Sequence, residues 1–164
     1  MQHHPIRIED TPSGRVTIPA RLVDWVRRAT YAEIGSAAET LDTIAFATDR
    51  EAYPECFRAQ AQNLRESFAL LDALGWAKQT PPVPIEVALH EHGWALIRSL
   101  TGALEFADED VQEQSRRAHG RVFPIDCSRV SALYNLIEDT RARIDILAVE
   151  EGPTTSETTL ELVT

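Results

Sequence analysis

Glu86, His90, Glu91 and His92 form a compact group of side chains able to hold a metal ion or move a proton, and it combines carboxylates with imidazoles. Glu86 and His90 are four apart, so on a helix they share one face, as two ligands on one helix must. His90 and His92 are two apart and point in different directions, so a single turn cannot aim both at one ion. The Glu-x-x-His spacing of di-iron bundles and the HExxH motif are both absent. A metal centre on Glu86 and His90 therefore needs carboxylates from a second helix, with Glu66, Asp72 or Glu105 as donors. His92 falls on an apolar seam and is expected to be a hydrogen-bonded core histidine.

Glu105-x-x-Asp108, followed by Glu109 and Asp110, has the carboxylate density that holds Mg²⁺ beside phosphates in helical bundles. Such sites want a second acidic pair on a facing helix, and Glu51 with Glu55 matches that requirement poorly. Acids gathered at a helix N-terminus account for the same residues without an ion. Cys56 and Cys127 each precede or open a predicted helix, where the positive end of the helix dipole lowers a thiol's pKa. In a simple up-down bundle those two starts lie at the same end, which makes the thiols a candidate redox pair; two buried, inert cysteines are the alternative. No Ser-His-Asp arrangement, nucleophile elbow, P-loop or dinucleotide fingerprint occurs, which argues against an enzyme and against a cofactor. Trp25, Trp76 and Trp94 are spread over three helices and read as core or edge packing.

Gly14-Arg15-Val16-Thr17-Ile18-Pro19 is similar to the central motif of the swapped-hairpin transition-state regulators and antitoxins of the AbrB/MazE type. That resemblance implies DNA binding by paired hairpins of a dimer, with Arg15 and Arg21 as the contacting residues here. It covers about ten residues and then stops. The family's next Gly-Asp turn and alternating strand belong near residues 30–45, where this chain has helical spacing. Charge runs the same way. Sixteen Lys and Arg face 26 Asp and Glu, a net charge of −10. Residues 1–30 carry five Arg and three acids, whereas the other 134 carry eleven basic and 23 acidic residues. An acidic field repels phosphate over most of the surface, so nucleic acid is not the expected partner and a basic protein is.

These side chains need elements to hold them. Residues 5–18 alternate as a β-hairpin around Thr11-Pro12-Ser13-Gly14. Pro19 suits the first turn of a helix carrying Leu22, Trp25, Val26 and Ala29. Gly35-Ser36 interrupts it, and the Ser36/Glu39 capping box favours two helices over one bent one. Thr48 and Glu51 repeat that spacing ahead of the clearest helix, in which Phe57, Ala61, Leu64, Phe68 and Leu71 recur at steps of four and three up to Gly75. Lys78–Pro84 is a proline-rich connector. Ile85, Ala88, Leu89, His92, Ala95, Leu96 and Leu100 predict the next helix, either unbroken to Ala118 or restarting at Asp108, the second being favoured by its charged ends. Arg121–Cys127 reads as a loop with a short extended piece at Val122-Phe123. Ser128 caps a last helix carrying Val130, Leu133, Tyr134, Ile137, Ile144 and Leu147. Residues 150–164 are a tail or a terminal strand.

Several amphipathic helices with short connections bury their stripes most economically in an antiparallel bundle. The expected fold is mainly α: one domain over residues 1–164, with a hairpin or arm at 1–18 and a bundle of four to five helices at 19–149. Two cysteines, no leader-like apolar segment and no membrane-length apolar run point to the cytoplasm. The expected function is a non-enzymatic helical interaction or regulatory protein with an acidic surface, acting on a protein partner or by self-association. Val87, Trp94 and Ile97, which broaden one helix beyond its seam, are its expected contact residues. A metal-dependent helical enzyme using Glu86 and His90 is the alternative, and DNA binding through the hairpin the third reading.

Overall fold

The computed structural model describes residues 14–46, 54–118 and 126–151. They form a mainly α bundle of four helices and two short strands, in the order β1 (Arg15–Ile18), α1 (Ala20–Phe46), α2 (Pro54–Leu74), β2 (Ile85–Ala88), α3 (Leu89–Ala118) and α4 (Ser128–Glu151). The order is a strand followed by two helices, twice over. The first limb of the expected hairpin, Thr48, Glu51, the Val122-Phe123 piece and the terminal tail lie outside the described residues.

β1 forms where expected, but its partner here is β2, antiparallel, with Val16 opposite Val87 and Ile18 opposite Ile85. Residues 85–88 are thus a strand and not the first turn of a helix. Alternation explains the choice: Val16, Ile18 and Val87 turn one face of the ribbon into the core, while Arg15 and Glu86 stay outside. The backbone N–H of Leu89 donates to the Gly14 carbonyl at 3.0 Å, which fixes the start of α3 beside the start of β1.

Two expected breaks do not occur. α1 runs through Gly35, because Ile34, Ala37, Leu41 and Ile44 continue one stripe toward α2 and outweigh the local cap. α3 runs through Asp108, because Ala103 and Ala107 extend the buried stripe of Leu96 and Leu100. α2 ends where predicted, at Gly75, whose φ of 81° is one that glycine tolerates without strain. At the start of α4 it is Asp126 that takes up the free backbone donor of Ser128, at 2.9 Å. Hydrogen bonds from Ser128 hold the Asp126 carboxyl below its usual range.

α1 pairs with α2 as an antiparallel hairpin. Arg27 meets the end of α2, and Ala45 faces the start of α2 near Phe57. α1 also crosses α3 in opposite order: Arg28 lies over Phe106, Ala29 packs against Gly102, and Thr30 bonds to Ser99. Thr30 donates its proton to the Val26 carbonyl at 2.8 Å, so Ser99 must donate in the 2.9 Å contact between the two hydroxyls. α4 lies antiparallel on α3, with Ile144 filling the notch at Gly93. Running order is therefore down, up, up, down, since the proline-rich connector and β2 carry the chain back before α3 begins. The core centres on Val16, Ile18, Leu22, Val26, Leu70, Leu74, Val87, Leu96, Leu100 and Leu133, all essentially closed to solvent.

Glu66 on α2 accepts a 2.8 Å charged hydrogen bond from Arg98 on α3. Partial burial raises its pKa, but the bonds from Arg98 and Gln62 and the Arg98 charge outweigh that and lower it below 4.5. A carboxylate lowered on folding stabilises the protein above its unfolded pKa, and the contribution fades as pH falls through the folded value. Glu66→Gln is accordingly expected to cost up to about 1 kcal/mol at pH 7. In urea titrations the gap between the two proteins should close below about pH 4, and a gap that persists there contradicts the ion-pair account.

Candidate functional site

The metal-ligand candidates separate. Glu86 projects from β2, with its carboxylate 3.7 Å from the Arg15 guanidinium, whereas His90 stands in the first turn of α3. The change from strand to helix between them removes the shared helix face that the spacing implied. Glu66 is held by Arg98 and Gln62, and Asp72 accepts the indole N–H of Trp76. Glu66, His90, Glu91 and Trp94 do line one recess of about 310 Å³. Among the described residues, no group of three or more His, Cys, Asp and Glu side chains is placed to hold a metal ion. His92 is mostly buried as expected, but its Nδ1 has no partner among the described residues, and its Nε2 lies 3.5 Å from Glu91.

Cys56 and Cys127 are exposed free thiols and not neighbours. Cys56 sits at the α2 start, beside the α1 end at Ala45. Cys127 adjoins the start of α4, where Arg129 stacks at 4.1 Å on Trp25 of α1. From Trp25 to Ala45 is about 30 Å along α1 at 1.5 Å per residue. The same-end expectation fails because α2 and α3 run the same way. Arg15 lies on β1 paired with Glu86, while Arg21 is exposed on the first turn of α1. Of the three expected contact residues, only Trp94 is exposed, at 65%. Val87 points inward from β2, and Ile97 faces the core one turn after Gly93.

What the described residues do offer is a groove of about 620 Å³ between α3 and the first turns of α4. Its walls are Leu104, Val130 and Tyr134, with Ser131 and Asn135 beside them and the carboxylates of Glu105 and Asp108 on its rim. The wall is apolar because α4 carries Val130, Leu133, Tyr134 and Ile137 over too wide an arc for one seam. Leu133 and Ile137 are buried against α3, which leaves Tyr134 57% exposed. Above the groove, α3 continues with Glu109, Asp110 and Glu113; Arg129 lies 3.7 Å from Asp110, and Arg116 and Arg117 pair with Glu113. Among the described residues, Glu105 and Asp108 make no ion pair. Both rim carboxylates stand out in the sequence, whereas the spacing of Val130 and Tyr134 places them in a buried seam. The excess of apolar positions on α4 was the available signal.

Such a groove has apolar area to desolvate and negative charge at its edge, but its walls carry no nucleophile–base pair. Chemically it can bind, with selectivity for cationic amphipathic matter. No helix among the described residues is long and apolar enough to cross a membrane. No protein-family model, no curated protein sequence and no solved structure matches the chain.

Proposed function

We propose that this chain is a non-enzymatic interaction protein that receives a basic amphipathic helix of another protein in the α3/α4 groove. The single observation behind this reading is the groove itself: Leu104, Val130 and Tyr134 form an apolar wall, with the carboxylates of Glu105 and Asp108, which make no ion pair among the described residues, along the rim. A channel between two helices accommodates a third helix, whose apolar face desolvates the wall while Lys or Arg side chains reach the rim. The net charge of −10 steers such a partner from a distance and adds on-rate more than affinity. Two exposed free thiols suit a reducing compartment, and the cytoplasm is the proposed location.

Calorimetric titration with a synthetic helical peptide of Leu and Lys in heptad spacing tests this. Micromolar binding that weakens with salt is expected. Tyr134→Ala removes the exposed aromatic anchor and should weaken binding about tenfold. Glu105→Lys with Asp108→Lys should weaken it by a comparable factor, whereas Arg15→Ala should leave it unchanged. Binding indifferent to all three groove substitutions contradicts the proposal.

A further inference from the structure

Among the described residues, the α1/α2 hairpin extends past the N-terminus of α3 as an arm without a third helix. Ala37 is the last buried residue of α1, and Ser67 the first of α2. Over the arm, α1 presents Tyr31, Gly35, Ala38, Asp42 and Ala45 at steps of four and three, and α2 presents Phe57, Ala61, Arg65 and Phe68 likewise, so each set forms one stripe. Both stripes lie on the same face. Tyr31 and Phe68 both pack on Trp76, and a pocket of about 420 Å³ is lined by Ile44, Ala45, Pro54, Phe57 and Arg58. Phe57 and Phe68 are 43% and 40% exposed there.

Charges on this face are segregated. The α1 edge carries Glu39 and Asp42, and the α2 edge carries Arg58 and Arg65; all four are exposed, and among the described residues none makes an ion pair. The geometry points to a second copy of this chain as the occupant. A two-fold axis running along the arm lays α1 of one copy on α2 of the other. The acidic edge then meets the basic edge twice over, because Asp42 and Arg58 lie at the same level of the hairpin and Glu39 lies within about one turn of Arg65. The product is a four-helix bundle in which every contact between neighbouring helices, within and between copies, is antiparallel. The other two-fold arrangement, α1 on α1, sets acid against acid. This surface is separate from the α3/α4 groove, and neither proposal needs the other.

Sedimentation equilibrium of the full chain tests the proposal. A concentration-dependent monomer–dimer equilibrium is expected, and a monomer at every concentration up to about 0.5 mM, far above the Kd of a standard interface, overturns it. Asp42→Arg and Arg58→Glu should each weaken the dimer about tenfold, because each creates two like-charge contacts. Combined in one chain, they recreate the complementarity with its sign exchanged, and dimerisation should return to within about threefold of the starting value. Circular dichroism monitors the helices throughout, and the combined variant is its own control for folding. A dimer indifferent to both reversals, or one not restored in a well-folded combined variant, rejects the α1-on-α2 arrangement. Tyr134→Ala should not change the dimer.

Discussion

Replacing Arg27 with Met should lower stability by about 3 kcal/mol, the loss expected when a charged hydrogen-bond donor is removed from buried acceptors. The side chain of Arg27 is 5% exposed, deep between α1 and the end of α2. Its Nε donates to the Gly75 carbonyl at 2.7 Å and its Nη2 to the Leu74 carbonyl at 3.1 Å. These are the carbonyls that the last turn of α2 leaves without partners, and they carry the negative end of the helix dipole. Nη1 reaches Asp24 at 3.2 Å, but that carboxylate is half exposed and contributes little. Met fills the space of the side-chain stem and leaves two carbonyls unsatisfied. Lys keeps the charge but not the planar fork, so Arg27→Lys should recover only part of the loss. A melting temperature lowered by roughly 10 °C for Arg27→Met is the expected reading for a chain of this size. A shift under 2 °C contradicts the capping role.

Leu100→Ala carries a comparable cost for a different reason. Leu100 is fully buried on α3, the helix that packs against both α1 and α4. Losing its methyl groups and opening a cavity between three helices should cost about 3 kcal/mol. In urea this reads as a lower midpoint with the slope preserved. Trp94, six residues earlier on the same helix, is the informative comparison. It is far larger, but its exposure means that Trp94→Ala should change stability by less than about 1 kcal/mol. Ile97→Ala should fall on the Leu100 side of that divide, at about 2 kcal/mol or more. If Trp94→Ala proves the costlier, the phase of α3 is wrong.

Much of this phase was legible in the residues and some was not. α2 was legible as a helix, because Phe57, Ala61, Leu64, Phe68 and Leu71 recur at steps of four and three up to Gly75, but its phase was not: Ser67, Leu70, Leu71 and Leu74 are buried, while Phe57 and Phe68 are exposed. β2 was hidden because Ile85–Ala88 is four residues long, and its partner β1 lies some seventy residues earlier. A run that short fits a helix start as well as a strand until the pairing is known. The common helix face that spacing implies for Glu86 and His90 does not exist, and Val87, which helical spacing turns outward, is turned inward by the pleat. Local caps misled in the same way at Ser36 and Asp108, where continuous stripes on α1 and α3 prevail over them.

Helix direction was the least legible property. Each helix is amphipathic whichever way it runs, and only the long connection through Pro81, Pro82 and Pro84 to β2 sets α3 parallel to α2. That one feature separates Cys56 from Cys127. It also leaves the far half of α1 and α2 without a third helix among the described residues. The groove was half visible: Glu105 and Asp108 stood out as an acidic cluster, but Val130 and Tyr134 join them only once α3 and α4 are packed side by side.

The functional account stands on the α3/α4 groove as a seat for a basic helix. Residue-resolved NMR on the ¹⁵N-labelled chain, titrated with the Leu/Lys heptad peptide, tests that seat most directly. Shifts concentrated in residues 104–108 and 130–135, on the two walls of the groove, are the predicted result. Shifts spread evenly over the acidic surface, or gathered around Arg15 and Glu86 with the groove silent, would contradict it.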